Sequence, residues 1–146
     1  MKVNVKAIPP EGLHLKESQS VSSWDLDSKD FKYTGKLYLE GDFYREQNNI
    51  YVHVSVLSTR EVCCSRCLEV HEQELKEEFD FYYKLLPDQE FIEIDSDVRQ
   101  EMILNFPLKP LCSENCKGIC PVCGKNLNKG KCNCSPKFIK FIGKEE

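Results

Sequence analysis

Nine cysteines in 146 residues, gathered into two clusters, constrain this chain more than any other feature. Cys63, Cys64 and Cys67 form the first cluster. Cys112, Cys116, Cys120, Cys123, Cys132 and Cys134 form the second. Cys120-Pro121-Val122-Cys123-Gly124 has the form of a metal-binding knuckle. A Cys-x-x-Cys turn presents two thiolates from one loop, and a following glycine can take positive φ and aim backbone N–H groups at the sulfurs. Four thiolates gathered this way bind zinc tetrahedrally and leave no open position, which predicts a structural metal rather than a catalytic one.

Three other uses of cysteine compete with that reading. Disulfides suit an oxidising compartment, but Met1–Pro10 holds no apolar signal region, and no run of about 18 apolar residues could span a membrane. The expectation is a cytoplasmic protein with reduced thiols and no membrane partner. An iron–sulfur run would need gaps of two, two and three residues, whereas Cys112, Cys116 and Cys120 are separated by three and three. Zinc deaminase chemistry needs a His-x-Glu element, and the chain has none.

Closure entropy divides the ligands. Cys120, Cys123, Cys132 and Cys134 lie close together in sequence and form one expected site. Cys64, Cys67, Cys112 and Cys116 remain for a second. Its longer closure is tolerable because loop entropy grows only logarithmically, by about 0.6 kcal/mol per doubling. Up to two zinc ions are therefore expected. Cys63, on the strand face opposite Cys64, reads as a small hydrophobe.

The length fits one domain, or one domain with an appendage. Ile50, Val52, Val54 and Val56 alternate with Tyr51, His53, Ser55 and Leu57, as in a half-buried strand. Residues 31–43 read as another strand, interrupted at Gly41-Asp42 by a turn or bulge. Asn48-Asn49 marks a turn. Strand character reverses at Cys64-Ser65-Arg66-Cys67, at the tip of a long hairpin. Leu68 and Val70 differ in parity from Leu75, Phe79, Phe81 and Tyr83, which predicts a bulge near residues 71–74. Val3–Ile8 is a candidate strand, and Val21–Leu26 is ambiguous. Residues 87–91 read as a loop. Asp97 is placed as the N-cap of a short helix with Gln100 at N3, Val98 and Met102 inward, and either Ile103 or Phe106 beside them. Ser135-Pro136 opens a short terminal helix carrying Phe138, Ile139 and Ile142. The expected class is α+β and β-rich: an antiparallel sheet with one short helix over residues 1–106, and a zinc-ribbon-like, cysteine-rich segment over residues 107–146 packed on it.

Charge is uneven. Residues 1–106 carry 12 basic and 21 acidic side chains, whereas residues 107–144 carry eight lysines against Glu114 alone. Two tetrathiolate zinc sites would reduce that local excess from +7 to about +3. The lysines either contact phosphates or offset thiolate charge. Arg66, inside the first knuckle, reads as a phosphate contact, as a partner of Glu69, or as an offset to thiolate charge. His14, His53 and His71 share no catalytic motif with Ser, Cys or Asp, and His53 reads as a surface or cross-strand residue. The acidic run over residues 69–80 reads as a solvated face, as a mimic of RNA, or as a docking surface for a basic protein.

Cys64-Ser65-Arg66-Cys67-Leu68-Glu69 resembles the Cys-x-Arg-Cys-Leu-Glu signature of the YceD family. Pro107-Leu108-x-Pro110-Leu111-Cys112, followed by Cys116-Lys117-Gly118-Ile119-Cys120-Pro121-Val122-Cys123-Gly124-x-Asn126-Leu127-Asn128, resembles that family's C-terminal signature. The two occur in order and span roughly residues 50–136, while residues 1–49 are less distinctive. The resemblance implies a bacterial, non-enzymatic factor for accumulation, processing or assembly of large-subunit (23S) ribosomal RNA. It also implies large-subunit rRNA or a large-subunit ribosomal protein as partner. A metal-dependent RNA-processing enzyme, a nuclease or hydrolase, is the alternative. It would require a water-bearing site with three protein ligands.

Overall fold

The computed structural model describes residues 1–29 and 31–134. The chain folds as two compact units, Met1–Val62 with His71–Leu108 and Cys63–Val70 with Lys109–Glu146. The hairpin tip with the first Cys-x-x-Cys thus groups with the C-terminal cysteines, whereas a division at 106/107 leaves it with the sheet. The expected terminal helix from Ser135 lies outside the described residues.

The first unit is antiparallel and β-rich with one short helix. Strands β2 (Leu13–Ser20), β3 (Phe31–Glu46), β4 (Asn49–Cys63) and β5 (Val70–Lys84) lie side by side in that order. Strands β1 (Lys2–Asn4) and β6 (Phe91–Glu93) pair as a separate antiparallel ribbon. Helix α1 covers Asp95–Leu104. Ile50, Val52, Val54 and Val56 on β4 point to one face, as their alternation predicts. They share a core with Leu37, Leu39 and Phe43 of β3, Ile92 of β6, and Val98 and Met102 of α1. Burying each such side chain contributes about 1.5–3 kcal/mol, so this unit has its own source of stability. Trp24 and Leu26, in the stretch without clear periodicity, also enter this core, after a 3-10 turn at Val21–Ser23.

Four local expectations are corrected. β3 runs through Gly41-Asp42 unbroken, Gly41 pairing with Val54 and Asp42 with His53. The register shift lies instead between Thr34 and Tyr38, around Gly35 at φ 75°. β5 has no bulge near residues 71–74. The cross-strand pairs Arg60/Gln73, His53/Asp80 and Tyr51/Tyr82 have residue numbers with one constant sum, as an uninterrupted antiparallel register requires. Leu68 and Val70 are simply exposed, so their parity needs no reconciliation. The helix begins two residues before Asp97 and has Ile94 as N-cap residue, without a side-chain cap. Asp97 Oδ2 instead accepts the Tyr83 hydroxyl at 2.6 Å. Residue 91, expected in a loop, opens β6.

At the inner face of β4, Arg60 is only 2% exposed. It donates to Gln73 Oε1 at 3.3 and 3.1 Å and lies 4.6 Å from the Phe106 ring centroid. Phe106 also stacks on Phe31, so of the two candidates it is Phe106 that packs inward past the helix end, while Ile103 is exposed.

Candidate metal centres

Two turns in the second unit are built alike. In the first, the Cys64 N–H donates to Glu69 O at 2.9 Å, the Leu68 N–H to Cys64 O at 2.9 Å, and the Arg66 N–H to Cys64 Sγ at 3.5 Å. In the second, the Cys120 N–H donates to Lys125 O at 2.8 Å, the Gly124 N–H to Cys120 O at 2.8 Å, and the Val122 N–H to Cys120 Sγ at 3.4 Å. Each turn aims a backbone N–H at the first sulfur and projects the second sulfur from the same loop.

The turns bring together the residues that spacing assigns to each site. Cys64, Cys67, Cys112 and Cys116 form one cluster, and Cys120, Cys123, Cys132 and Cys134 the other. Within each, the sulfurs lie within 4.8 Å of one another, so both could hold a metal ion. None of the nine cysteines is in a disulfide. Cys64 and Cys116 sulfurs are 3.8 Å apart, and those of Cys67 and Cys112 are 3.7 Å apart. A tetrahedron of metal–sulfur bonds of about 2.3 Å has edges of about 3.8 Å, so the donor set fits a four-coordinate thiophilic ion. Cys63 lies outside both clusters, its Sγ 3.5 Å from Leu68 O.

Side chains with no role in the cysteine pattern brace the first cluster. Asn128 Nδ2 donates to Cys116 Sγ at 3.2 Å, while its Oδ1 accepts the Lys117 N–H at 2.8 Å. Asn126 Oδ1 accepts the Asn128 N–H at 2.9 Å and so holds that amide in place. Arg66 donates to Glu114 O at 3.3 Å and Cys116 O at 3.2 Å, tying the first turn to the segment that carries Cys112 and Cys116. The Ile119 N–H donates to Arg66 O, and Gly118 permits this approach, because a Cβ there would meet that oxygen at 3.1 Å. Arg66 thus bonds backbone carbonyls, whereas Glu69, its expected partner, pairs with Lys129. Asn126 and Asn128 are visible in the sequence as a motif, but their roles come only from the fold, which carries them back to Cys116.

Protonation within the clusters is unequal. Burial raises the Cys64 thiol, but N–H groups from Cys67, Cys112 and Arg66 outweigh it and bring it down to about 6. The Cys123 and Val122 amides bring Cys120 down to about 6. The Asn128 amide holds Cys116 below the usual thiol range. Cys112 is pushed up to about 12, chiefly by Cys116, and Cys134 to about 12, chiefly by Cys123. Each cluster therefore stabilises some thiolates directly and leaves others to be deprotonated by a cation, the usual behaviour of a thiolate metal site.

The five described lysines of this unit, Lys109, Lys117, Lys125, Lys129 and Lys131, are exposed. Lys129 pairs with Glu69, and Lys125 Nζ donates to Lys131 O at 3.0 Å. The histidines lie elsewhere: His14 meets Asp42 at 2.6 Å and His53 meets Asp80 at 2.7 Å, both across neighbouring strands.

This arrangement and the signatures around it have known relatives. Residues 83–140 match the family model for large ribosomal RNA subunit accumulation protein YceD. The match takes in all six C-terminal cysteines, and the YceD resemblance is shown over that stretch. The chain is also similar to the large ribosomal RNA subunit accumulation protein YCED homolog 1, chloroplastic, of Zea mays, at 38% identity over 52 residues, covering 35% of this chain and 18% of the relative. The Arabidopsis thaliana protein of the same description is 40% identical over 48 residues, covering 33% of this chain and 15% of the relative. The matched part thus spans less than a fifth of either relative's length. No solved structure matches the chain. No helix among the described residues is long and apolar enough to cross a membrane.

Proposed function

We propose that the chain is a non-catalytic factor supporting accumulation, processing or assembly of large-subunit (23S) ribosomal RNA in the bacterial cytoplasm. Zinc ions in the two cysteine clusters hold its C-terminal unit in shape. The YceD match over residues 83–140, on the segment that carries the second cluster, is the observation that carries this reading. Four thiol donors per cluster, at the spacing of a zinc–thiolate tetrahedron, support zinc. They also favour a scaffold over a nuclease or hydrolase, because a catalytic zinc keeps a coordination position for water. The exposed lysines of the C-terminal unit are the groups available for rRNA phosphates. Crosslinking the protein to RNA in cells and sequencing the attached fragments tests the reading. Enrichment of large-subunit rRNA over small-subunit rRNA and messenger RNA is expected, and equal recovery of all three would overturn direct rRNA binding.

A further inference from the structure

The outer face of the four-stranded sheet carries an ordered pattern that the metal centres do not use. Antiparallel register lines outward side chains into rows across the strands. Tyr44 pairs with Tyr51, and the Tyr51 and Tyr82 rings are 5.1 Å apart, so three tyrosines cross β3, β4 and β5. The next row alternates: His14 faces Asp42, Asp42 faces His53, and His53 meets Asp80. Beyond it, Lys16 faces Glu40 and Glu40 faces Ser55. Tyr38 then pairs with Leu57.

Tyr38, Tyr44, Tyr51, Leu57 and Tyr82 are all between 44% and 56% exposed. One such residue would be unremarkable, but five at registered positions on one face make a patch. A concavity of about 270 Å³ lies within it, lined among others by Tyr38, Leu57, His53, Glu40, Asp42 and Glu78.

The charge of the face selects among partners. Lys16 and Lys76 are each paired, with Glu40 at 2.8 Å and Glu78 at 2.9 Å. Glu61, Glu72 and Glu74 are exposed at outward positions of β4 and β5 and make no ion pair among the described residues. Lys32, which faces Glu61, and Lys36 and Lys84 also lie at outward positions, so five lysines stand against eight acidic side chains at the described outward positions, and the face is net acidic. It repels phosphate, which disfavours stacking of nucleic-acid bases on these tyrosines, and attracts ammonium and guanidinium groups. Tyrosine ring faces add about 0.5–1 kcal/mol for each cation seated on them.

We propose that this outer sheet face docks a Lys/Arg-rich polypeptide segment of a partner protein. The acidic rows neutralise its charges, and the tyrosine row and the Tyr38–Leu57 pair hold its stems and planar groups. The residues involved precede residue 83, outside the YceD match, so the inference does not rest on the rRNA reading.

Fluorescence anisotropy with the full chain and a labelled Arg-Gly repeat peptide tests it. Tyr51→Leu with Tyr82→Leu keeps apolar area and removes two ring faces. This variant should bind about 5-fold to 30-fold more weakly while its sheet stays folded, as read by circular dichroism. Glu40→Gln with Glu78→Gln should weaken binding and flatten its salt dependence. Glu11→Gln with Glu93→Gln makes the same change in net charge off this face and should leave binding unaltered. Equal weakening by the two charge variants would reduce the effect to diffuse attraction and overturn the proposal. So would parental affinity in the tyrosine variant. Tighter binding of single-stranded RNA than of the peptide, abolished in the tyrosine variant, would replace the basic segment with a nucleic acid.

Discussion

Leu68 and Gly124 occupy the same place in two copies of one turn. Each follows a Cys-x-x-Cys, donates its N–H to the carbonyl of the first cysteine, and has positive φ, 60° at Leu68 and 72° at Gly124. A left-handed backbone costs a side-chain-bearing residue about 1–2 kcal/mol, so the first turn is strained where the second is relaxed. Leu68 is 60% exposed and gives little packing in return.

Leu68→Gly should therefore stabilise the second unit, by a few tenths to about 1 kcal/mol once the added unfolded-state entropy of glycine is subtracted. Gly124→Leu should destabilise it by about 1–2 kcal/mol. Unfolding of the metal-loaded protein in denaturant checks both signs. A stabilised Gly124→Leu would mean that the turn tolerates a side chain where its backbone argues against one.

Asn128 touches a candidate ligand sulfur without being a ligand. Asn128→Ala removes the N–H on Cys116 Sγ and the acceptor on the Lys117 amide. Partners of this kind typically change metal affinity about 10-fold to 100-fold, so zinc transfer to a competing chelator should become easier by that factor. Loss of one of two equivalents, with the other held as in the parent, would place the effect at the Cys64/Cys67/Cys112/Cys116 cluster.

The two units draw on different sources of stability. The first has a core of sheet and helix side chains. The second cluster of core residues consists of Cys64, Cys67 and Cys116 with Leu111 against them. Cys123→Ser should abolish amide protection over residues 118–134 and leave β3, β4 and β5 protected, as read by hydrogen exchange. Elemental analysis of reduced protein should find up to two zinc ions in the parent and one fewer in this variant. Iron with visible charge-transfer absorption would remove zinc from the account.

Short-range rules make some parts of this molecule legible in its sequence. Strand β4 shows its period, and cysteine spacing separates two sets of four that the fold brings together. The misplaced bulge in β5 has a physical cause. Apolar parity implies burial, but Leu68 and Val70 are exposed beside a turn whose geometry, not whose hydrophobicity, sets the chain's path. Asp97 fits the local pattern of a cap, but a tertiary partner, Tyr83, claims its carboxylate. Strand β2 is hard to recognise, since Leu13–Ser20 offers only Leu13 and Leu15 as apolar inward positions. The Asn128 clamp is unreadable in the sequence because it acts through space on a residue twelve positions away.

His53 carries a pH dependence with a definite sign. Its hydrogen bond to Asp80 comes first in raising its pKa above the ordinary 6.5, burial opposes, and Glu78 and Asp42 add to the rise. A raised histidine pKa stabilises the fold fully below the unfolded value, and that contribution is lost as pH rises through the folded one. NMR titration should show His53 above 6.5 in the parent and nearer that value in Asp80→Asn. An unshifted His53 in the parent would mean that the cross-strand pair is not held in solution.

Direct rRNA contact through the C-terminal unit predicts a steep fall of affinity with salt, because binding releases counterions from phosphates. The lysines are not equivalent for this purpose. Lys129 is engaged by Glu69, and the Lys125 ammonium holds the Lys131 carbonyl, whereas Lys117 and Lys131 make no ion pair among the described residues. Lys117→Gln with Lys131→Gln should weaken binding of a 23S rRNA fragment. The logarithmic salt slope should flatten by about 0.7–0.9 for each phosphate that is no longer neutralised. The backbone N–H of Lys117, which Asn128 holds, survives the change, so zinc content should stay at the parental value. Parental affinity at every salt concentration would remove these lysines as the groups that meet phosphate. The positive excess of this unit would then serve to balance the thiolates beside it.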